Sequence, residues 1–573
     1  MWRSSFERFG RKRDDESMHD IVIKNGLIVD GTGRSGYVAD IGIRSGVISE
    51  IGELTESGRE VIDADGLVVS PGFIDPHTHY DAQICWDREV TPSSWHGVTT
   101  VVLGNCGVGI APCHPHARDV AMHDLVNVEA IPFDVLNQGI TWEWESFPEF
   151  MDFADRQRLS VNTAFLAPLS PLRHFVMGTD SMDRGATTAE AESIAVLLRD
   201  AMQAGAFGFS STILNQHMGY AGKPLACRNA TVGELALYAN VLRDCGKGAI
   251  EIALTRQLGV LESDQCDVLN MLLDESQRPV TFIAMFDRDD ISEAVRDSLR
   301  RARPMIEKGA RPQTSPLPLT REMNMQNPFS FASFPSWQRI FSDKNPDIQK
   351  RVYADPLFRQ AFREDLKNPQ GFGDWSRITL HHVGSLELRR WVDCSVADIA
   401  RQCGKDPVDQ FLDLVIEDDL RSEFTIKSFN TRVDRMTELL NDPSILIGLG
   451  DGGAHVDMLC DSGYPTYLLG TWVRDREAIT LEEGVRRLTS DPADFFGIGD
   501  RGRIRSGLAA DITIFDPSSV GSPERAERRY DLPGGAKRMV MPSLGIRYTI
   551  VNGSICWKDG EIFGRMHGQV LRS

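Results

Sequence analysis

Between Asp20 and Ser70 apolar and polar residues alternate in short runs broken by glycine: IVIKNGLIVDGTG, ADIGIRSGVISEIG and VIDADGLVVS. Alternation with a period of two around NG, DG and SG pairs predicts hairpin strands. The same texture returns in AADITIFDP (509–517) and RYTIVNGSICWKDGEI (547–562). Neither end holds enough strands for a stable sheet alone. The two are expected to pair into one small β domain, a sandwich built from residues 18–70 and 505–573.

The middle of the chain changes period. In TTAEAESIAVLLRDAMQ (187–203) Ile194, Leu197, Leu198 and Ala201 fall on one helical face, behind a Thr187/Glu190 capping box. Gly205 ends that helix and the strand AFGFS follows. Thr231/Glu234 opens the next helix, Gly246 closes it, and AIEIAL reads as the next strand. The unit repeats through CDVLNMLLDE into PVTFIAMF, and through ISEAVRDSLRRARPMIEKG into ARPQTS. Together with VTTVVLGN (98–105), VNTAFLA (161–167) and ILIGLG (445–450), this predicts an α/β fold, a (β/α)8 TIM-type barrel over residues 71–504. A doubly wound open sheet is the alternative, but no GxGxxG follows the first strand of this region. Residues 315–376, rich in Pro, Phe, Asn and Asp without a clean period, predict an insertion or lid. They also leave strand seven open between ARPQTS and RITLHH (377–382).

Composition narrows the partners more than the fold. A net charge of −20 argues against nucleic acid, and no apolar run reaches the ~20 residues of a membrane span. Ten scattered cysteines without a CxxC pair suit free thiols in a reducing cytoplasm. The first seventeen residues mix charges of both signs, lack an apolar stretch, and are expected to form a tail rather than a secretory signal. A small-molecule substrate is the expected partner, and a homo-oligomer is compatible with the composition.

The ends of the predicted strands carry the unusual chemistry. PGFIDPHTH closes strand one with His77 and His79, whose side chains point the same way in extended chain. Strand two ends in GNCG, which puts Cys106 on a glycine-flanked turn, and strand eight runs into GLGDGGAH, with Asp451 and His455. Imidazole, thiolate and carboxylate together suit zinc or a similar divalent ion. An aspartate beside metal-activated water can act as general base and acid. Taken singly, each motif has a plainer reading: strand-end polarity, an inert buried cysteine, a turn. The order HxH, Cys, Asp at the ends of strands one, two and eight favours a metal-dependent hydrolase.

His217, on the loop TILNQHMGY after strand four, is a candidate ligand or substrate contact. His381 and His382 can join the site or cap an outer strand. Arg256 can bind a carboxylate or sit in a salt bridge, and His455 can orient Asp451 or meet substrate. His96, beside Trp95, reads as structural, and the HPH at 114–116 as surface.

PGFIDPHTHYD resembles the signature of the amidohydrolase superfamily. WHGVTTVVLGNCGVGIAP, GAFGFSS and DRGRIRSGLAADITIFDP resemble its N-acyl-D-amino-acid deacylase (D-aminoacylase) branch. The resemblance implies a barrel with a companion β domain, one or two zinc ions, His77, His79, Cys106 and Asp451 as ligands, and Asp451 as catalytic aspartate. In that branch a cysteine after strand two replaces a carboxylated lysine, and Cys106 stands there. It further implies histidine ligands on strands five and six, but Leu254 occupies the first position and Ala284 or Met285 the second. CDSGYPTYLL, after Asp451, replaces a segment in which the branch tends to carry a substrate-binding arginine. The expectation is a metal-dependent hydrolase of a C–N amide bond, of an N-acyl amino acid or related N-acyl compound. The alternatives are a cyclic amide or carbamate hydrolase, a deaminase, or a metal-free binding or scaffold protein.

Overall fold

The computed structural model describes residues 18–573 except 56–57, 327, 329–330, 332–333, 338–339, 341–344, 368–373, 524 and 565. The tail expected over residues 1–17 and parts of the expected insertion therefore lie outside the described residues. The fold is mixed α/β and divides into two compact units. One comprises residues 18–285, 296–317 and 437–573; the other comprises 286–295 and 318–436. Among the described residues no helix is long and apolar enough to cross a membrane.

In the first unit both chain ends meet in a nine-stranded sheet. His19–Ile28, Tyr37–Arg44, Val47–Gly52, Gly58–Asp63 and Val68–Pro71 come from one end; Ile512–Phe515, Ile546–Val551, Ser554–Lys558 and Glu561–Ile562 come from the other. The join is antiparallel, Ile512–Phe515 against Val68–Pro71. The expected sandwich is, by its pairing, one continuous sheet. The ten-residue strand His19–Ile28 is long enough to pair along one edge first with Gly58–Asp63 and then with Val68–Pro71. Ile21, Ile23, Ile41, Ile43, Ile62, Ile512, Ile514 and Ile550 share one core, as period-two alternation requires.

The parallel strands follow directly. In order they are Phe73–Asp75 (strand one), Val98–Leu103 (two), Asn162–Phe165 running on to Ala167–Pro168 (three), Gly208–Thr212 (four), Ala249–Ala253 (five), Val280–Ile283 (six), Ala310–Thr314 (seven) and Leu446–Ile447 (eight). Each pairs in parallel with the next. Beyond strand eight, a parallel bridge from Thr78 to Gly452 returns the ladder to the chain leaving strand one. Both capping boxes form. Thr187 and Glu190 start the helix Thr188–Ala204, which Gly205 ends in left-handed conformation. Thr231 and Glu234 do the same for Val232–Cys245, closed by Gly246.

Strand seven is thus ARPQTS; Ile378–His382 belongs to the second unit. That unit carries its own antiparallel sheet, in the order Thr320–Asn324, Glu423–Lys427, Ile378–His382. It also has its own aromatic core of Phe331, Trp337, Phe358, Phe362, Phe411 and Phe424. The insertion is therefore longer and more regular than a lid over 315–376. Helices Pro346–Ala354, Pro356–Asp365 and Pro407–Glu417 start at Asn345-Pro346, Asp355-Pro356 and Asp406-Pro407. In each, the Asx side chain caps the first turn and proline fills its first position.

Candidate metal centre

The segment after strand one is held extended from both sides. Thr78 donates its amide to Val102 O (3.0 Å), His79 donates to Gly452 O (2.7 Å), and Asp451 donates to His77 O (3.1 Å). Asp75 accepts the His77 amide at 3.1 Å. Both imidazoles consequently leave the same face, as the i, i+2 spacing requires. Cys106 sits at φ 55°, after Gly104 at φ 77°. A β-carbon at Gly104 would lie 2.1 Å from Leu166 O, so only glycine lets the turn tuck its thiol inward. The GDGG turn needs Gly453 likewise, since its φ is 90° and a β-carbon would meet His79 O at 2.5 Å.

The outcome is a buried cluster. One ligand atom each from His77, His79 and Cys106 lies within 4.8 Å of the others, the one such cluster of metal-ligating side chains found among the described residues. Cys106 Sγ is 3.5 Å from His77 Nε2. Asp451 Oδ1 is 3.6 Å from His77 Nε2 and 3.8 Å from His79 Nε2. The two histidines and Cys106 are buried, whereas the Asp451 side chain keeps 24% of its exposure. Of the four, Asp451 is the most exposed.

The electrostatics of the cluster ask for a cation. Burial pushes the Asp451 carboxyl up to about 7. It raises the Cys106 thiol well above its ordinary value, with Glu251, Glu129 and Asp451 adding repulsion. Burial drives His77 down to about 3, helped by nearby His217, and drives His79 well below its usual range. Neutral imidazoles beside acids whose ionisation burial resists form a donor set suited to a cation. His96 is the contrast: Thr466 Oγ1 lies 2.7 Å from one ring nitrogen and Met541 O lies 2.8 Å from the other. It is the structural histidine the sequence suggests.

The remaining candidates separate clearly. His217 is half-buried, with its Nδ1 unbonded, and lies within electrostatic reach of His77 and His79. Its backbone oxygen is held by the Leu225 amide (3.1 Å) and by Arg228 (3.2 Å). His455, at φ 50°, donates its amide to Glu129 O and lies near His79 and His217. Arg256 does not join the cluster. Its guanidinium forms an exposed salt bridge with Glu262 and Asp264. His381 does not join it either: it faces Glu322 at 3.5 Å within the second unit's sheet, and His382 is exposed. Leu254, Ala284 and Met285 are fully buried apolar residues.

Two residues beside the cluster escape the sequence reading. Glu251 and Glu129 are both buried, and Glu251 Oε2 accepts the Cys106 amide at 2.6 Å. A charged residue between two isoleucines in AIEIAL is the signal that marks Glu251. Glu129, just past the helix Arg118–Val128, carries no comparable mark.

The family model described as "Amidohydrolase family" matches residues 60–328 and 371–556, most of the chain. The chain belongs to the amidohydrolase family. Within it, the chain is 28% identical over 591 residues to an uncharacterized protein of Mycobacterium tuberculosis (strain ATCC 25618 / H37Rv), covering 97% of this chain and 95% of that one. It is 26% identical over 574 residues to the D-aminoacylase of Alcaligenes xylosoxydans xylosoxydans, covering 98% and 99%. Its fold is similar to the crystal structure of an N-acyl-D-glutamate deacylase from Bordetella bronchiseptica complexed with zinc and a phosphonate inhibitor. That likeness has a TM-score of 0.66 at 24% identity, over 97% of this chain and 100% of that one.

Proposed function

We propose that this amidohydrolase hydrolyses the C–N amide bond of an N-acyl amino acid or a related N-acyl compound. The carrying observation is the buried convergence of His77, His79 and Cys106 beside the partly exposed Asp451. Similarity to a D-aminoacylase over nearly the whole chain supports the substrate class. We also read the eight parallel strands as a (β/α)8 barrel. The Thr78–Gly452 bridge supports that reading, and the cluster then sits at the carboxyl ends of strands one, two and eight.

Two imidazole nitrogens and one sulfur suit zinc, with a further position open for water and substrate. His77, His79 and Cys106 would hold the ion, which supplies the Lewis acidity that polarises the carbonyl and acidifies water. Asp451 accepts the proton of the attacking water and returns it to the leaving nitrogen. A carboxylate there has the oxygen to take that proton and, once protonated, to give it back. The test is Asp451→Asn, assayed for acetate and free amino acid release on a panel of N-acetyl-D-amino acids, with zinc content measured alongside. Zinc should stay bound while turnover falls by roughly 10²–10⁴-fold. Turnover surviving unchanged would sink the mechanism.

A further inference from the structure

Each histidine of the cluster has a second side. His77 turns Nε2 toward Cys106 and Asp451, and its Nδ1 lies 4.0 Å from Glu251 Oε1. His79 repeats the arrangement, with Nε2 toward Asp451 and Nδ1 3.2 Å from Glu129 Oε1. All four side chains are buried, and His77 Nδ1, His79 Nδ1 and Glu251 Oε1 close no hydrogen bond. A neutral imidazole offers a lone pair at Nε2 only as the tautomer carrying its proton on Nδ1, and that proton needs an acceptor. A carboxyl group stands on that side of each ring, Glu129 at 3.2 Å from His79 and Glu251 at 4.0 Å from His77, whose ring also has Gln313 as a side-chain partner. Glu251 stands there from strand five, while its other oxygen accepts the amide of Cys106, a residue at positive φ. One side chain thus lies between the His77 ring and the turn that presents the thiol.

We propose that Glu251 and Glu129 are positioning residues of the metal centre. Each fixes the Nδ1–H tautomer of one histidine, so that both Nε2 lone pairs converge with the Cys106 sulfur on a single ion. The inference rests on the metal reading above and adds to it residues that hold no metal themselves. It also gives strand five a part: with Leu254 in place of an imidazole, the strand contributes from behind the ligands.

Glu251→Gln keeps an oxygen for the Cys106 amide and turns an NH2 group toward His77, which favours the wrong tautomer. Glu129→Met keeps the volume and removes the acceptor. Zinc affinity would be measured by competition with a chromogenic chelator, ligand geometry from the absorption of the cobalt(II)-loaded protein, and folding from the melting of the metal-free protein. Each variant should bind zinc about 10–100-fold more weakly and shift the cobalt ligand-field bands, while the metal-free form melts no lower than its parent. If either variant fails to fold, Glu251→Asp and Glu129→Asp, which draw the carboxylate back by one methylene, should show the same loss. Zinc affinity within twofold of the parent, with an unchanged cobalt spectrum, overturns the proposal and leaves the metal centre standing. A parent protein that binds no zinc overturns both.

Discussion

Replacing Glu251 by glutamine removes a buried carboxyl whose ionisation the metal-free fold resists. Burial above all pushes that carboxyl up to about 8 from an ordinary 4.5; the Cys106 amide offsets part of the rise and Asp451 adds to it. Between those values the folded chain keeps a proton that the unfolded chain has released, so stability falls as pH rises. From pH 7 to 8.5 this one group takes away about 1.3 kcal/mol. Asp75, also raised to about 8 by burial, takes away about as much. His77 and His217, pushed down to about 3, act in the opposite sense, but nearly all of that effect is complete below pH 7. Chelator-treated protein, followed by scanning calorimetry, should therefore melt at least roughly 2 °C lower at pH 8.5 than at pH 7. Glu251→Gln should lose part of that slope while binding zinc more weakly, so one substitution stabilises the empty fold and loosens the loaded one. Zinc should reverse the slope in the parent, because forming the thiolate releases a proton and binding tightens as pH rises. A melting temperature of the metal-free protein that stays flat or climbs over this range refutes the reasoning. So does a fall that is equal in parent and variant.

Cys106→Ser should weaken zinc binding by more than roughly 100-fold, beyond the effect expected of an outer partner. It should also abolish the sulfur-to-metal absorption of the cobalt-loaded protein. His381→Ala should leave zinc affinity unchanged within twofold, since that imidazole is matched to Glu322 inside the second unit; a marked loss by chelator competition would place it at the metal. Thr187→Ala removes one half of a capping box and should cost about 1 kcal/mol of local stability. Faster amide exchange in the helix Thr188–Ala204 would report it.

The alternating strands at both ends and the capped helices between them were legible because each obeys a local rule: a period of two around glycine turns, or Thr-x-x-Glu before an apolar face and glycine after it. His77, His79, Cys106 and Asp451 were legible because strand ends are where such side chains converge. The second unit was less so. Its Asn-Pro and Asp-Pro pairs read as loop punctuation, and only packing around Trp337 and Phe411 turns them into helix starts. RITLHH has the texture of any buried strand, and only its antiparallel partner Glu423–Lys427 assigns it. Glu129 and Glu251 act through the histidines they face, and facing is a property of the fold that no local pattern carries.

The antiparallel join of Val68–Pro71 to Ile512–Phe515 has a consequence in time. At about 5–20 residues per second of synthesis, the later strand emerges roughly 20–90 s after the earlier one. Throughout that interval Val68–Pro71 offers an open, apolar hydrogen-bonding edge, the kind of edge that recruits foreign strands. The ribosome-bound chain is thus most prone to aggregate before its last strands are made, and any shortening that removes Ile512–Phe515 would make that exposure permanent.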